Sequence, residues 1–466
     1  MWTFDRKFYV VGVAFAFALL LLIATNPAAQ AADTKTTTTG GTTTSAPAGA
    51  STIPLGFAGW DNGFFIRSPD GAFNLKIGGY AQLDGRFFPD EDQDLNDDGN
   101  RSEENKDQFV LRRARPLIQG TVYKYVDFRI MPDFGEGNTV LQDAWADLKY
   151  YPQTALRGGK FKTPFGLERL RSATALNFVE RGLTDDLVPN RDLGFELHNS
   201  PDQVWNYSLA VLNGVSDGGS TNGDLGDQKD FAARVFVQPW FNSDDTRLKG
   251  FGVGAAATYG NENGSQASTN LPQYRTPGRS VFFRYAGANA TTGALATEAG
   301  GVRYRFSPQA YWFTGPLGVM ADYVLATQEV RRGAAGARTR ANIDNQAWQI
   351  NVSYMLTGEA NSYKGIKVAA PFSVENHTWG AWEVSARYGA LYIDDDAFDG
   401  NFATKNQSAS EADSLGLALG WHLNNSIKFV VNYEWTTFED GAGSSSTSFR
   451  DRDDEHIIFT RLQFVI

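Results

Sequence analysis

The chain has no cysteine. That excludes disulfide frameworks, thiolate metal sites and cysteine nucleophiles together. Histidine is scarce: His198, His377, His422 and His456 are all there are, and none sits in a nucleophile motif. A nucleophile needs a base held beside it, so an enzyme is not expected. Glycine-rich phosphate loops, zinc spacings and dinucleotide fingerprints are missing too, and no cofactor is expected. Past the N-terminus, no stretch reaches about eighteen continuous apolar residues, which argues against spanning helices. Positive charge is also short. A net charge of −11 does not suit a nucleic-acid partner.

What the chain does have is alternation. Leu415, Leu417, Leu419, Trp421 and Leu423 share one parity, and Ile427, Phe429, Val431, Tyr433 and Trp435 repeat it. Such strands must bury a continuous apolar face. Many of them in succession, about ten residues each, close most economically into a barrel with lipid outside. The fold expected is therefore all-β, a transmembrane antiparallel β-barrel of about sixteen strands. The strands are read at 72–88, 108–122, 124–133, 140–151, 154–163, 191–199, 203–213, 228–239, 250–260, 300–313, 317–330, 343–356, 378–393, 414–424, 427–438 and 455–466. Val281 to Tyr285 is left to a long loop, since an even count is the rule. Abundant Phe, Tyr and Trp suit the interfacial girdles of such a barrel.

The N-terminus supplies an address. Arg6 and Lys7 precede an apolar run from Val10 to Ala24, and Ala29-Gln30-Ala31 reads as a cleavage site. Residues 1–31 are expected to be a signal peptide, 32–71 a flexible Thr/Gly/Ser-rich lead-in, and 72–466 the barrel. A secreted barrel belongs in a bacterial outer membrane, with outer-membrane lipid around it.

Parity also sorts the charges. Val110, Ala114, Ile118 and Val122 are placed outward, which turns Arg113 and Arg115 into the lumen. On 154–163, Lys160 and Lys162 are read inward and Phe161 outward. Arg303, Arg305 and Gln309 are read inward opposite Tyr304, Phe306 and Trp312. Over all strands this gives about fourteen inward Lys or Arg against about nine inward acids. An acidic protein with a basic lumen suits anions. Opposed arginines and carboxylates also hold the walls of barrels of any selectivity, and Asp143 and Asp147 are placed to neutralise some of this charge.

Between Pro164 and Arg191 the strand period disappears. A connection this long is often functional. It is read as folding inward to narrow the pore, with an extracellular cap as the alternative. Arg169, Arg171 and Arg181 lie in it and reach toward the eyelet. Separately, Asp94, Asn96 and Asp98 match the opening of a calcium loop. Position twelve is Asn105 rather than Glu, and no helices flank it, so this is a weak candidate and no metal is expected.

Several stretches resemble the phosphate-selective porin O and P family. They are Arg112-Arg113-Ala114-Arg115, Gly159 to Glu168, Phe178 to Arg181, Val188 to Gly194, Arg305 to Gln309, Gly315 to Gly318 and Trp379 to Glu383. The resemblance implies a sixteen-stranded homotrimeric porin whose constriction passes inorganic anions such as phosphate or pyrophosphate. On that reading Arg113, Arg115, Lys160, Lys162, Arg169, Arg171 and Arg181 line the anion path. Two features depart from the pattern. The chain ends Phe464-Val465-Ile466 rather than on Phe, and its lead-in has no coiled-coil heptads. The alternatives are a general or other-substrate porin with no phosphate site, or a plugged structural barrel.

Overall fold

The computed structural model describes residues 56–89, 106–151, 153–200, 203–223, 226–442 and 451–466. The expected signal peptide, residues 1–31, and the calcium-like residues Asp94, Asn96 and Asp98 lie outside the described residues. The described chain opens with a hairpin, β1 (Phe57–Trp60) and β2 (Phe64–Arg67), inside the segment expected as a lead-in. The wall follows as β3 (Asn74–Phe87), β4 (Gln108–Val122), β5 (Val126–Asp133), β6 (Val140–Tyr151), β7 (Thr154–Lys162) and β8 (Arg191–His198). It continues through β9 (Trp205–Leu212), β10 (Asp230–Val237) and β11 (Phe251–Asn263). A small hairpin, β12 (Gln273–Arg275) and β13 (Val281–Arg284), forms its own sheet within the next loop. The wall resumes as β14 (Glu298–Thr314), β15 (Leu317–Arg332), β16 (Thr339–Met355), β17 (Ala381–Tyr392), β18 (Glu411–His422), β19 (Ile427–Glu439) and β20 (Glu455–Val465).

Sixteen of these strands, β3–β11 and β14–β20, pair each with the next, and β20 returns to β3. A closed antiparallel ring leaves no edge in lipid, where unpaired backbone groups cost several kcal/mol each. At the seam Arg461 grips Asp84 through both carboxylate oxygens, at 2.7 and 2.6 Å. Below the point where β20 ends, β2 takes its place beside the first residues of β3. The short turns at 123–125, 315–316 and 423–426 share the end where Ile466 meets Gly79, which makes that end periplasmic; the longer connection 356–380 lies at this end too.

The expected outward residues form the exposed belt: Ile118, Leu156, Tyr304, Phe306, Leu417, Leu419 and Leu462 all lie on the surface. Parity fails in two places. In β4 the register against β3 slips between Gln82 and Leu83, leaving Arg112 as a bulge. Above the bulge Phe109 and Leu111 face out, and Val110 pairs with the buried Asp84, so Val110 is not outward. In β7, Phe161 is buried with Ala210, Leu212 and Ala232 and lies beneath the Arg157 guanidinium, so it faces the lumen. An aromatic residue between two lysines gave no reliable face.

An unheated sample in detergent should migrate on a gel differently from a boiled one, and its far-UV circular dichroism should be strand-dominated. A helix-dominated spectrum would contradict this fold.

Candidate functional site

The segment 164–190 folds into the barrel. Gly166 opens it with φ 77°, and a Cβ there would meet Val188 at 2.5 Å, so glycine lets the two ends of the segment meet. One helical turn, Leu167–Leu170, and two 3₁₀ turns, Ala173–Ala175 and Leu183–Leu187, follow. The wall holds them. Gln82 donates to the Ala173 carbonyl at 3.2 Å, Gln463 to Thr174 at 3.1 Å, Lys428 to Leu176 at 2.8 Å and Arg387 to Glu180 at 3.0 Å. Buried backbone oxygens need such donors once no strand pairs them.

The extracellular loop carrying β12 and β13 also turns inward. Tyr274, Phe282 and Phe283 pack with Phe165, Leu183, Leu187 and Val188 in one buried cluster against β15–β18. The two insertions therefore pack along one side of the lumen. The other side stays open as a cavity of about 2080 Å³, running from Gly78 and Ile466 at the periplasmic end to Pro272 and Thr276 in the extracellular loop. Among the described residues, fifteen Lys or Arg and eight Asp or Glu line it.

The wall side of the constriction carries consecutive arginines. The bulged Arg112 grips both oxygens of Glu180, at 2.5 and 3.2 Å, and also meets Glu136. Arg113 donates to Gln82 at 2.8 Å, with Glu180 3.6 Å away. Arg115 donates to Asp133 at 2.7 Å and to the Tyr80 hydroxyl at 2.8 Å. Arg191 is tied to Asp143 at 2.8 Å. Arg129 is looser: it meets Gln119, and its nearest carboxylate, Asp143, is 3.9 Å away.

The segment side carries Arg169 and Arg181. Arg169 pairs with Asp185 at 2.6 Å. Arg181 donates to the carbonyls of Glu168 and Arg171, with Asp185 only at 3.9 Å. Lys162 spends its ammonium on the carbonyls of Arg169, Leu170 and Arg171 at 2.7, 3.3 and 2.9 Å. Three donors meet three acceptors, so Lys162 caps the helical turn and braces the segment. Replacing Lys162 with Met should leave buried carbonyls unsatisfied, a local cost of roughly 3 kcal/mol. The expected outcome is faster proteolysis within 164–190 and noisier single-channel current. Unchanged traces would contradict the bracing role.

Arg113, Arg115, Lys162, Arg169 and Arg181 thus share one cavity. Lys160 and Arg171 do not line it. Lys160 is buried and donates to Asn222. Arg171 reaches Asn177 and the Tyr363 and Ser362 carbonyls, away from the pore. Arg112, Arg157, Arg191, Arg275 and Arg279 also line the cavity without having been singled out. The Arg-Arg pair was the only signal for Arg112, because two adjacent inward arginines require a bulge. No pattern marks Arg275 or Arg279, which arrive on an irregular loop. Among the described residues no group of His, Asp or Glu is placed to hold a metal ion.

The carboxylates of the segment are not equivalent. Burial alone would raise Glu180, yet Arg112 and Arg113 hold it well below the usual range, so it stays charged. Among the described residues no arginine pairs with Asp186. Burial pushes it up to about 8, and the Arg275 backbone N–H donates to it at 2.9 Å. Below that pH it is neutral, and above it the lumen gains a negative charge. The ratio of anion to cation permeability should fall as pH rises through about 8, and an Asp186→Asn variant should lose that step. A flat pH profile would contradict the assignment.

The sequence matches the family described as phosphate-selective porin O and P over residues 82–466. It is 25% identical to Porin O of Pseudomonas aeruginosa over 436 residues, 86% of this chain and 91% of that one. The outer membrane channel DcaP of Acinetobacter baumannii shares the fold, with a TM-score of 0.51 at 12% identity over 86% of this chain and 99% of that one. Barrel, inward segment and sequence agree: this chain belongs to the phosphate-selective porin O and P family and is a channel of the bacterial outer membrane, not an enzyme.

Proposed function

We propose that the channel is anion-selective and that phosphate or pyrophosphate binds at its constriction. The observation that carries this is the basic excess lining the open side of the lumen, in a protein that is acidic overall. Arg113, Arg115, Arg129, Arg169 and Arg181 supply the anion contacts, and Lys162 holds the segment that presents two of them. Guanidinium forks match phosphate oxygens in pairs. Arg129 and Arg181 are the least neutralised of these, since no carboxylate lies closer than 3.9 Å to either among the described residues. The paired carboxylates keep binding weak enough for release, as conduction requires. Millimolar phosphate should block chloride current in a planar bilayer. Chloride current untouched by phosphate would favour a general porin, a reading that the direct pairing of Arg115 and Arg191 with acids supports.

The working form is a homotrimer set in outer-membrane lipid. Strands β5, β8, β9 and β10 have 8 residues each, whereas β14 and β16 have 17. A tilted 8-residue strand rises only about 19 Å, less than the apolar band of roughly 25 Å around such barrels. A second copy would cover this low side, where Phe195, Trp205, Leu209 and Phe231 are exposed. Cross-linking in native membranes should give a trimer band. A monomer alone would contradict it.

A further inference from the structure

On the periplasmic side of the constriction the lumen changes character. Phe236 on β10, Tyr311 and Phe313 on β14, and Tyr363 from the connection 356–380 all line the open cavity. The rings of Phe236 and Tyr311 are 4.8 Å apart, and Tyr311 stacks on Tyr363 at 5.3 Å with an interplanar angle of 22°. The wall is cut to admit them. A Cβ on Gly252 would meet Phe236 at 2.4 Å and Tyr311 at 2.9 Å, so the missing side chain is what lets both rings lie against the backbone. Porin lumens are ordinarily polar, and a ring platform facing the water path asks for a ligand with an apolar face.

Arg234 stands over this platform, its guanidinium 4.7 Å from the Phe236 ring centroid. It donates through Nε to Gln309 at 3.1 Å and forms no ion pair among the described residues. Four of its five N–H groups are therefore left for the cavity. By strand register Arg234 lies four residues toward the periplasm from Asp230, roughly 13 Å along β10. It is thus a station separate from the arginines of the constriction.

We propose that Arg234 and the Phe236–Tyr311–Tyr363 platform form a second anion site, specific for aromatic carboxylates. The carboxylate takes the guanidinium fork, and the ring lies against the half-buried faces of Tyr311 and Tyr363. The site rests on the anion-channel reading, because only an anion path delivers such a ligand to it.

The test uses the full-length channel in planar bilayers, with benzoate and acetate as probes of chloride current. Benzoate should half-block at a concentration about tenfold lower than acetate. Arg234→Gln should bring the two together, and Tyr311→Leu should reduce the preference about fivefold. Equal block by benzoate and acetate in the wild-type, anion-selective channel overturns this site alone, without any variant having to fold. Benzoate block unchanged in Arg234→Gln overturns it as well. A wild-type channel that prefers cations overturns the anion-channel reading and this site with it.

Discussion

Exchanging Arg129 and Arg181 for glutamate should turn the channel from an anion path into a cation path. The double substitution shifts the constriction by four charge units. One unit charge about 8 Å from a passing ion contributes roughly 0.5 kcal/mol even at the dielectric of water. Four units give about 2 kcal/mol, which is roughly thirtyfold in the permeability of each ion, down for the anion and up for the cation. The lining would hold thirteen cations and ten anions in place of fifteen and eight. The remaining excess lies largely in arginines already paired to acids, such as Arg112, Arg115 and Arg191. Neither target closes a wall pair as Arg461 does, so the barrel should assemble. The effect is read as the zero-current potential across a salt gradient. It should shrink as ionic strength rises past about 0.1 M, where the screening length is roughly 10 Å. A variant that stays anion-selective at low salt would move the selectivity filter elsewhere.

Deleting 167–187 should have the larger effect on conductance. That segment, with the loop bearing β12 and β13, packs inside the barrel along one side of the lumen. Its removal also takes away Arg169 and Arg181 and the carbonyls that Lys162 holds. Single-channel conductance should rise severalfold, and both anion preference and phosphate block should collapse. The heat-modifiable gel band reports whether the barrel still forms, since the deletion leaves all sixteen wall strands intact. Unchanged conductance in a folded variant would mean that the segment does not limit the current.

The wall was legible because lipid demands an apolar residue at every second position, and that demand is local. Arg303, Arg305 and Gln309 fell inward as their neighbours Tyr304 and Phe306 required. Parity broke where local demand was weak. The bulge at Arg112 depends on how β3 and β4 pair, and Phe161 turns inward because Arg157 and the small residues of β9 and β10 receive it. The inward segment announced itself by losing its period. Its contents did not: Arg169, Arg171 and Arg181 read alike in sequence, yet two face the pore and one anchors the connection 356–380. Which way a loop side chain turns is set by partners hundreds of residues away, such as Glu383 and Tyr363 for the surroundings of Arg171. The aromatic platform was hidden for the same reason, since it joins β10, β14 and a periplasmic connection.

The most direct test of the central claim is the zero-current potential of the wild-type channel in a tenfold potassium chloride gradient at low total salt. An anion-selective lumen predicts the sign of chloride permeation, with a magnitude that falls as salt is raised. A potential of the potassium sign, or none at all, would contradict it.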